Sequence, residues 1–294
     1  MSIYPRQPLP AKIVELIQKL ESLIKAPVFV LVQLPTQDDR TEARWFHKIS
    51  EAISYHLIFE KPTLPEGQKP VVLIDSPGGH ARAAYRIAAF FRRNFGGFDA
   101  IIPLAAKSAA TLLALGADRI MLGAHGELGP LDAQWYDPDR EKHCSGLDEY
   151  LSVQAISKFA QATVHSMFEY CRNEYTKRFE VAFPPCAEFA SRLSEPLLSK
   201  IDAVHWSDTS RTLQVARKYA ERLLQKHYPR TATEIARKLV EEYPDHEYCI
   251  DADEVNRIGL KTTDIPDDVY DVSVGLLAEF YQANLSAVGF MQDV

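Results

Sequence analysis

Cysteine is scarce in this chain of 294 residues. The four present, Cys144, Cys171, Cys186 and Cys249, form no CxxC pair and fit no common zinc spacing. Buried or unreactive thiols are therefore expected, and neither a metal site nor a cofactor is. A long uncharged apolar run is also missing. The most apolar stretch, 98–117, carries Asp99, Lys107 and Ser108 and falls short of a membrane span. The opening segment, MSIYPRQPLP, lacks the apolar region of a signal peptide, so a cytoplasmic location is the default expectation. Positive charge is not in excess: 33 Lys and Arg face 40 Asp and Glu, for a net charge of -7. That balance weighs against nucleic acid or an anionic membrane as the main partner. No low-complexity tract and no fixed-period repeat occurs.

What remains is an ordinary globular composition, 46% apolar and 25% charged, in a chain long enough for a sizeable core. Ile13, Leu16, Ile17, Leu20, Leu23 and Ile24 recur at helical spacing and predict a helix over 9–25, stopped by Pro27. Val28 to Val32 is continuously apolar and β-branched, as a strand covered on both faces would be. A helix is expected over 42–57 and a second buried strand over 71–74. A helix over 80–94, a strand over 100–104, a helix opening over 108–116 and a strand over 119–122 follow. Strand–helix alternation with short links is the signature of βαβ units on a mostly parallel sheet. From about 148 the pattern turns helical, over 148–178, 186–200, 212–226 and 231–243, with Pro184-Pro185 read as a break. The last part offers a short strand near Tyr248 to Ile250 and helices at 252–258 and 273–287. The expected organisation is an α/β core over 1–134, a helical insertion or arm over 135–243, and a segment over 244–294 that returns to the core.

Two features carry chemistry. Asp75-Ser76-Pro77-Gly78-Gly79 lies at the carboxyl end of a predicted strand, where sites of parallel sheets gather. Paired glycines let the backbone approach a ligand and aim its N–H groups at an oxyanion or phosphate. An ordinary strand-to-helix turn explains them equally well. Lys107-Ser108-Ala109-Ala110-Thr111 opens the helix after the next strand, where a serine is most often a simple N-cap. Together, however, the two strand ends offer a hydroxyl nucleophile and oxyanion donors, the minimal kit for acyl transfer.

The order Asp-Ser-Pro-Gly-Gly, helix, strand, Ser-Ala-Ala-Thr, then Ala117 to Gly123, then Leu128-Gly129-Pro130-Leu131-Asp132-Ala133-Gln134, resembles the serine dehydrogenase proteinase family. That family stands with the SppA signal peptide peptidases and, more remotely, the ClpP proteases. The resemblance is strong over 71–134 and weaker from His246 to Leu260. It implies a Clp/crotonase-like fold, with a mostly parallel sheet flanked by helices and a helical C-terminal region. It implies a serine peptidase acting on protein or peptide, membrane-associated substrates included, and assembling as a homo-oligomer. Ser108 stands at the family's nucleophile, and the N–H groups of Ala109, Gly78 and Gly79 at its oxyanion hole. One departure is Ala110, where the family usually has glycine.

The base stays open. Relatives of the ClpP type use His and Asp, whereas those of the SppA type use Lys. His125 comes too soon after Ser108 for the former. Lys158, on a predicted helix, follows Ser108 at an SppA-like distance, though an exposed helical lysine is the plainer reading. His246 matches a family histidine that either catalyses or holds the C-terminal segment. Asp132 either orients a base or caps a turn. Two other readings compete: an inactive protein of the same fold that binds a partner in the groove, and a crotonase-type acyl-CoA enzyme.

Overall fold

The computed structural model describes residues 8–34, 46–65, 67–132, 134–137 and 142–291. It divides into two compact units, one of residues 1–132 and 215–294 and one of residues 133–214.

The first unit begins with α1 (Ala11–Ile24), β1 (Val28–Val32), α2 (Glu51–Glu60), β2 (Val71–Asp75), α3 (Ala81–Phe95) and β3 (Asp99–Ile102). It continues with β4 (Ala105–Ala106), α4 (Ala109–Ala114), β5 (Arg119–Leu122) and β6 (Glu127–Leu128). The second unit holds β7 (Gln134–Asp137), antiparallel to β8 (Lys142–Ser145), then α5 (Gly146–Glu174) and α6 (Phe179–Leu198). Helix α7 (Ala203–Leu224) joins the first unit from Val215 onward. That unit closes with α8 (Ala232–Glu241), α9 (Ala252–Ile258), β9 (Thr263–Asp264), α10 (Asp267–Gln282) and β10 (Ala287–Phe290).

Six strands form the main sheet in the order β10-β1-β2-β3-β5-β9. All pair in parallel except β10, which runs antiparallel to β1. Every residue of β1 and β2 is buried, because helices cover both faces. On one face Ile13, Ile17 and Leu20 of α1 pack with Val269, Val272, Leu276 and Phe280 of α10 over β1 and β2. On the other, Phe91 of α3 meets Phe29 of β1 edge-on at 5.1 Å, and Phe290 of β10 meets the same ring at 5.1 Å. Each such side chain, fully withdrawn from water, contributes about 1.5–3 kcal/mol. The expected α/β class, mostly parallel and flanked by helices, is what the chain adopts.

A second layer stands at the carboxyl end of the sheet. There Ser76 bridges Ala106, β4 pairs in parallel with β6, and Leu128 bridges Ile250 in antiparallel sense. Four segments far apart in sequence thus lie side by side, and both chemical motifs sit on them.

Several expectations need correction. Helix α2 starts at Glu51, not 42, and residues 42–45 of that expectation lie outside the described ones. Pro184 and Pro185 lie inside α6 rather than breaking it. They fall in its second turn, where each removes one backbone hydrogen bond while packing against α5 continues. Residues 215–243, expected in the arm, belong to the first unit: Ile235, Leu239 and Val240 are buried, and the Leu131 N–H donates to the Leu239 carbonyl at 2.8 Å. Helix α10 begins six residues earlier than the predicted start at 273, with Pro266 at its N-cap.

Candidate active site

Ser108 joins β4 to α4 in a conformation that a side chain rarely takes, φ 49° and ψ -117°. Its hydroxyl makes no capping bond, so the N-cap reading does not hold. Backbone held in a sparsely populated region costs on the order of 1–3 kcal/mol and survives only where the surroundings impose it. A sharp, strained turn from strand to helix is also how nucleophile elbows expose a serine.

The surroundings that impose this turn can be named. Thr111, fully buried one turn into α4, places its hydroxyl 2.6 Å from the Ala106 carbonyl and 2.9 Å from that of Gly129. The same oxygen accepts the Gly129 N–H at 3.0 Å. One side chain therefore ties α4 to both β4 and the strand beside it. Lys107 turns away from Ser108 and pairs with Glu127 at 2.5 Å. Burial pushes the Glu127 carboxyl up, but the Cys249 thiol and Lys107 outweigh it and leave its pKa below the usual value. Cys249, in turn, is pushed up to about 11 by partial burial and by that carboxylate.

The glycine turn lies against the serine. Gly78 has φ +99°, and a Cβ there would stand 2.5 Å from the Lys107 carbonyl oxygen, 2.9 Å from the Ala109 nitrogen and 2.9 Å from the Ser108 Cβ. Gly79 has φ +144° and approaches the Ile49 backbone as closely. Glycine is needed at both because backbone meets backbone. The turn is braced from behind. Ser76 donates its hydroxyl proton to Gln33 at 2.6 Å, and Gln33 Nε2 donates to the Phe46 carbonyl at 2.8 Å. The Gly78 N–H donates to the Ser76 hydroxyl at 3.0 Å. Asp75, also buried, accepts from Tyr281 at 2.9 Å and from the Ala105 N–H at 3.2 Å. Burial raises the Asp75 pKa despite those two donors.

The hydrogen-bond pattern separates the three expected oxyanion donors. The Gly78 N–H is committed to Ser76. Among the described residues, those of Gly79 and Ala109 have no partner. Ala110 is fully buried and keeps a right-handed helical backbone, so nothing in the conformation calls for glycine there.

Among the candidate bases, His246 differs from the others. Its Nδ1 bonds to the Asp132 carboxylate; Asp132 is buried and the imidazole is 13% exposed. The antiparallel bridge between Leu128 and Ile250 brings these two residues face to face. Burial works to lower the His246 pKa, but Asp132 prevails and holds it above the ordinary histidine value. His125 is exposed in a turn after β5. Lys158 is exposed on α5, in the second unit. Among the described residues, no hydrogen bond joins the Ser108 hydroxyl to His246 or to His125. Among those residues, too, no group of three or more His, Cys, Asp or Glu is arranged to hold a metal.

Sequence reasoning missed the roles of Thr111, Gln33 and Tyr281, and it did not join Asp132 to His246. Thr111 alone had a local signal, its place in the serine motif.

Residues 57–140 match the family model described as ClpP-like SDH-type serine proteinase. The matched stretch contains Gly78, Gly79, Ser108, Ala109 and Asp132, whereas Lys158 and His246 fall outside it. Neither the curated proteins nor the solved structures gave a match.

Proposed function

We propose that the chain is a serine peptidase in which Ser108 attacks the carbonyl of a peptide bond. The observation that carries this reading is the strained Ser108 turn, uncapped and pressed against Gly78, while the N–H groups of the residues that follow each, Ala109 and Gly79, have no partner among the described residues. In the proposed mechanism the N–H groups of Gly79 and Ala109 receive the developing oxyanion. Removing one such donor costs roughly 10²–10³-fold in comparable enzymes. Gly78 shapes the turn and leaves the oxyanion to its neighbour.

His246 is the base this arrangement favours. An imidazole whose Nδ1 is held by a buried carboxylate presents Nε2 to a nucleophile, the logic of a Ser-His-Asp triad. It takes the Ser108 proton, returns it to the leaving amine, and then activates the water that clears the acyl-enzyme. Lys158 lacks the burial that a lysine base requires. The substrate class is protein or peptide. Self-association is supported by the exposed apolar side chains of α6, among them Phe179, Val181, Phe189 and Leu193. No described helix is long and apolar enough to cross a membrane.

The test is cleavage of an unfolded protein such as casein. Wild-type protein should cleave it, and Ser108→Ala and His246→Ala should not, while Lys158→Ala keeps activity. Binding of casein without cleavage, unchanged in Ser108→Ala, would instead indicate a binding module of the same fold.

A further inference from the structure

The second unit contains a thiol pair with no part in the site above. Cys171 lies near the end of α5 and Cys186 in the second turn of α6, and their sulfurs stand 3.8 Å apart. Cys186 is buried and Cys171 only partly so. The two helices run antiparallel about the turn 175–178. Helix α6 turns the small residues Ala182, Cys186, Ala190 and Ser194 inward at four-residue spacing. Such small side chains let two helix backbones approach closely. That approach brings together two cysteines from facing helices.

We propose that Cys171 and Cys186 form a reversible disulfide that staples α5 to α6. The sulfurs need to close from 3.8 Å to a bond of about 2.05 Å, within reach of side-chain rotation and a small helix shift. The oxidant is a peroxide. The Cys171 thiolate, on the more accessible side, attacks one peroxide oxygen; the O–O bond breaks, and sulfenic acid and hydroxide form. The Cys186 thiolate then attacks the Cys171 sulfur, the S–O bond breaks, and a second hydroxide leaves. The two thiol protons convert both hydroxides to water, so two thiols and one hydrogen peroxide give one disulfide and two waters. A thiol reductant reverses the bond. Burial and the neighbouring Cys171 raise the Cys186 pKa, so Cys186 carries less thiolate and is the less reactive of the two towards peroxide, which leaves the first step to the more accessible Cys171.

The staple closes a loop containing the whole inter-helix turn. It constrains the unfolded chain, so the oxidised arm should unfold at higher denaturant concentration than the reduced one.

The experiment treats the full-length protein with hydrogen peroxide, alkylates the remaining thiols and digests with trypsin without reductant. Cleavage after Lys158, Arg172, Arg178 and Arg192 separates the two cysteines into peptides 159–172 and 179–192. We expect these peptides to appear joined, to separate after dithiothreitol, and to be absent in Cys186→Ser. The denaturation midpoint should rise on oxidation in wild-type protein and stay fixed in Cys171→Ser. A linkage through Cys144 or Cys249 instead, or complete alkylation of both Cys171 and Cys186 after peroxide, would overturn the proposal. Because the peptide readout uses wild-type protein, a poorly folding variant does not blunt it. Casein cleavage is not the readout, so the result stands apart from the peptidase reading.

Discussion

Replacing Gly78 by alanine should harm the protein in two separable ways. The first is conformational: φ +99° disfavours any side chain, at roughly 1–2 kcal/mol. The second is steric. The new Cβ would meet the Lys107 carbonyl at 2.5 Å and the Ala109 nitrogen at 2.9 Å, both backbone atoms that no rotamer change can move. Overpacking of this kind typically adds about 1–3 kcal/mol. Gly78→Ala should therefore cost about 2–5 kcal/mol in denaturant unfolding. The strain falls on the peptide units that hold Ser108, and a misplacement near 1 Å can cost about 10²-fold in rate. Gly96→Ala is the control. Gly96 has φ +73°, but a methyl group added there would meet nothing within 4 Å, so only the conformational cost applies and activity should be untouched. Equal unfolding midpoints for the two variants, or full activity in Gly78→Ala, would refute the close approach of the glycine turn to the serine.

Ser108→Gly should abolish activity yet leave the fold intact or raise its stability by about 1 kcal/mol, because glycine relieves the φ 49° strain; denaturant titration checks the sign. Thr111→Val keeps the shape but strands the Ala106 and Gly129 groups, and should cost about 1–3 kcal/mol in the same titration. Asp132→Asn should lower the rate by roughly 10³–10⁴-fold, since the imidazole loses its orienting carboxylate, with little change in KM. The wild-type rate should rise with pH through a value above the ordinary histidine pKa, because the base must be neutral. Stability should move the other way. The folded His246 pKa is raised, so its contribution is complete below about 6.5 and is lost as pH rises through the folded value. His246→Gln should remove both trends.

How much of this was legible in the sequence depended on how local each feature is. Strand β1 and helix α9 run over the spans their patterns predict, because continuous burial and a capping Asp251 are written in adjacent residues. Strand β10 was missed: Ala287 to Phe290 is short, and only pairing with β1 at the far end of the chain makes it a strand. The start of α10 was hidden behind acidic residues, Asp267 and Asp268, that favour a helix N-terminus but carry no apolar period. In the site, the glycine turn and Ser108 were legible as motifs at successive strand ends. What the sequence could not express was commitment: that the Gly78 N–H is taken by Ser76, while those of Gly79 and Ala109 find no partner among the described residues. Nor could it bring Asp132 to His246, since only the bridge between Leu128 and Ile250 makes those residues neighbours.

Ser108 acts in this mechanism as an activated nucleophile. The most direct test is reaction of the full-length protein with a fluorophosphonate, followed by peptide mapping of the adduct. One adduct is expected, on Ser108, formed faster as pH rises and lost in Ser108→Ala and His246→Ala. A folded protein that takes up no reagent, or takes it up on another serine, would contradict it.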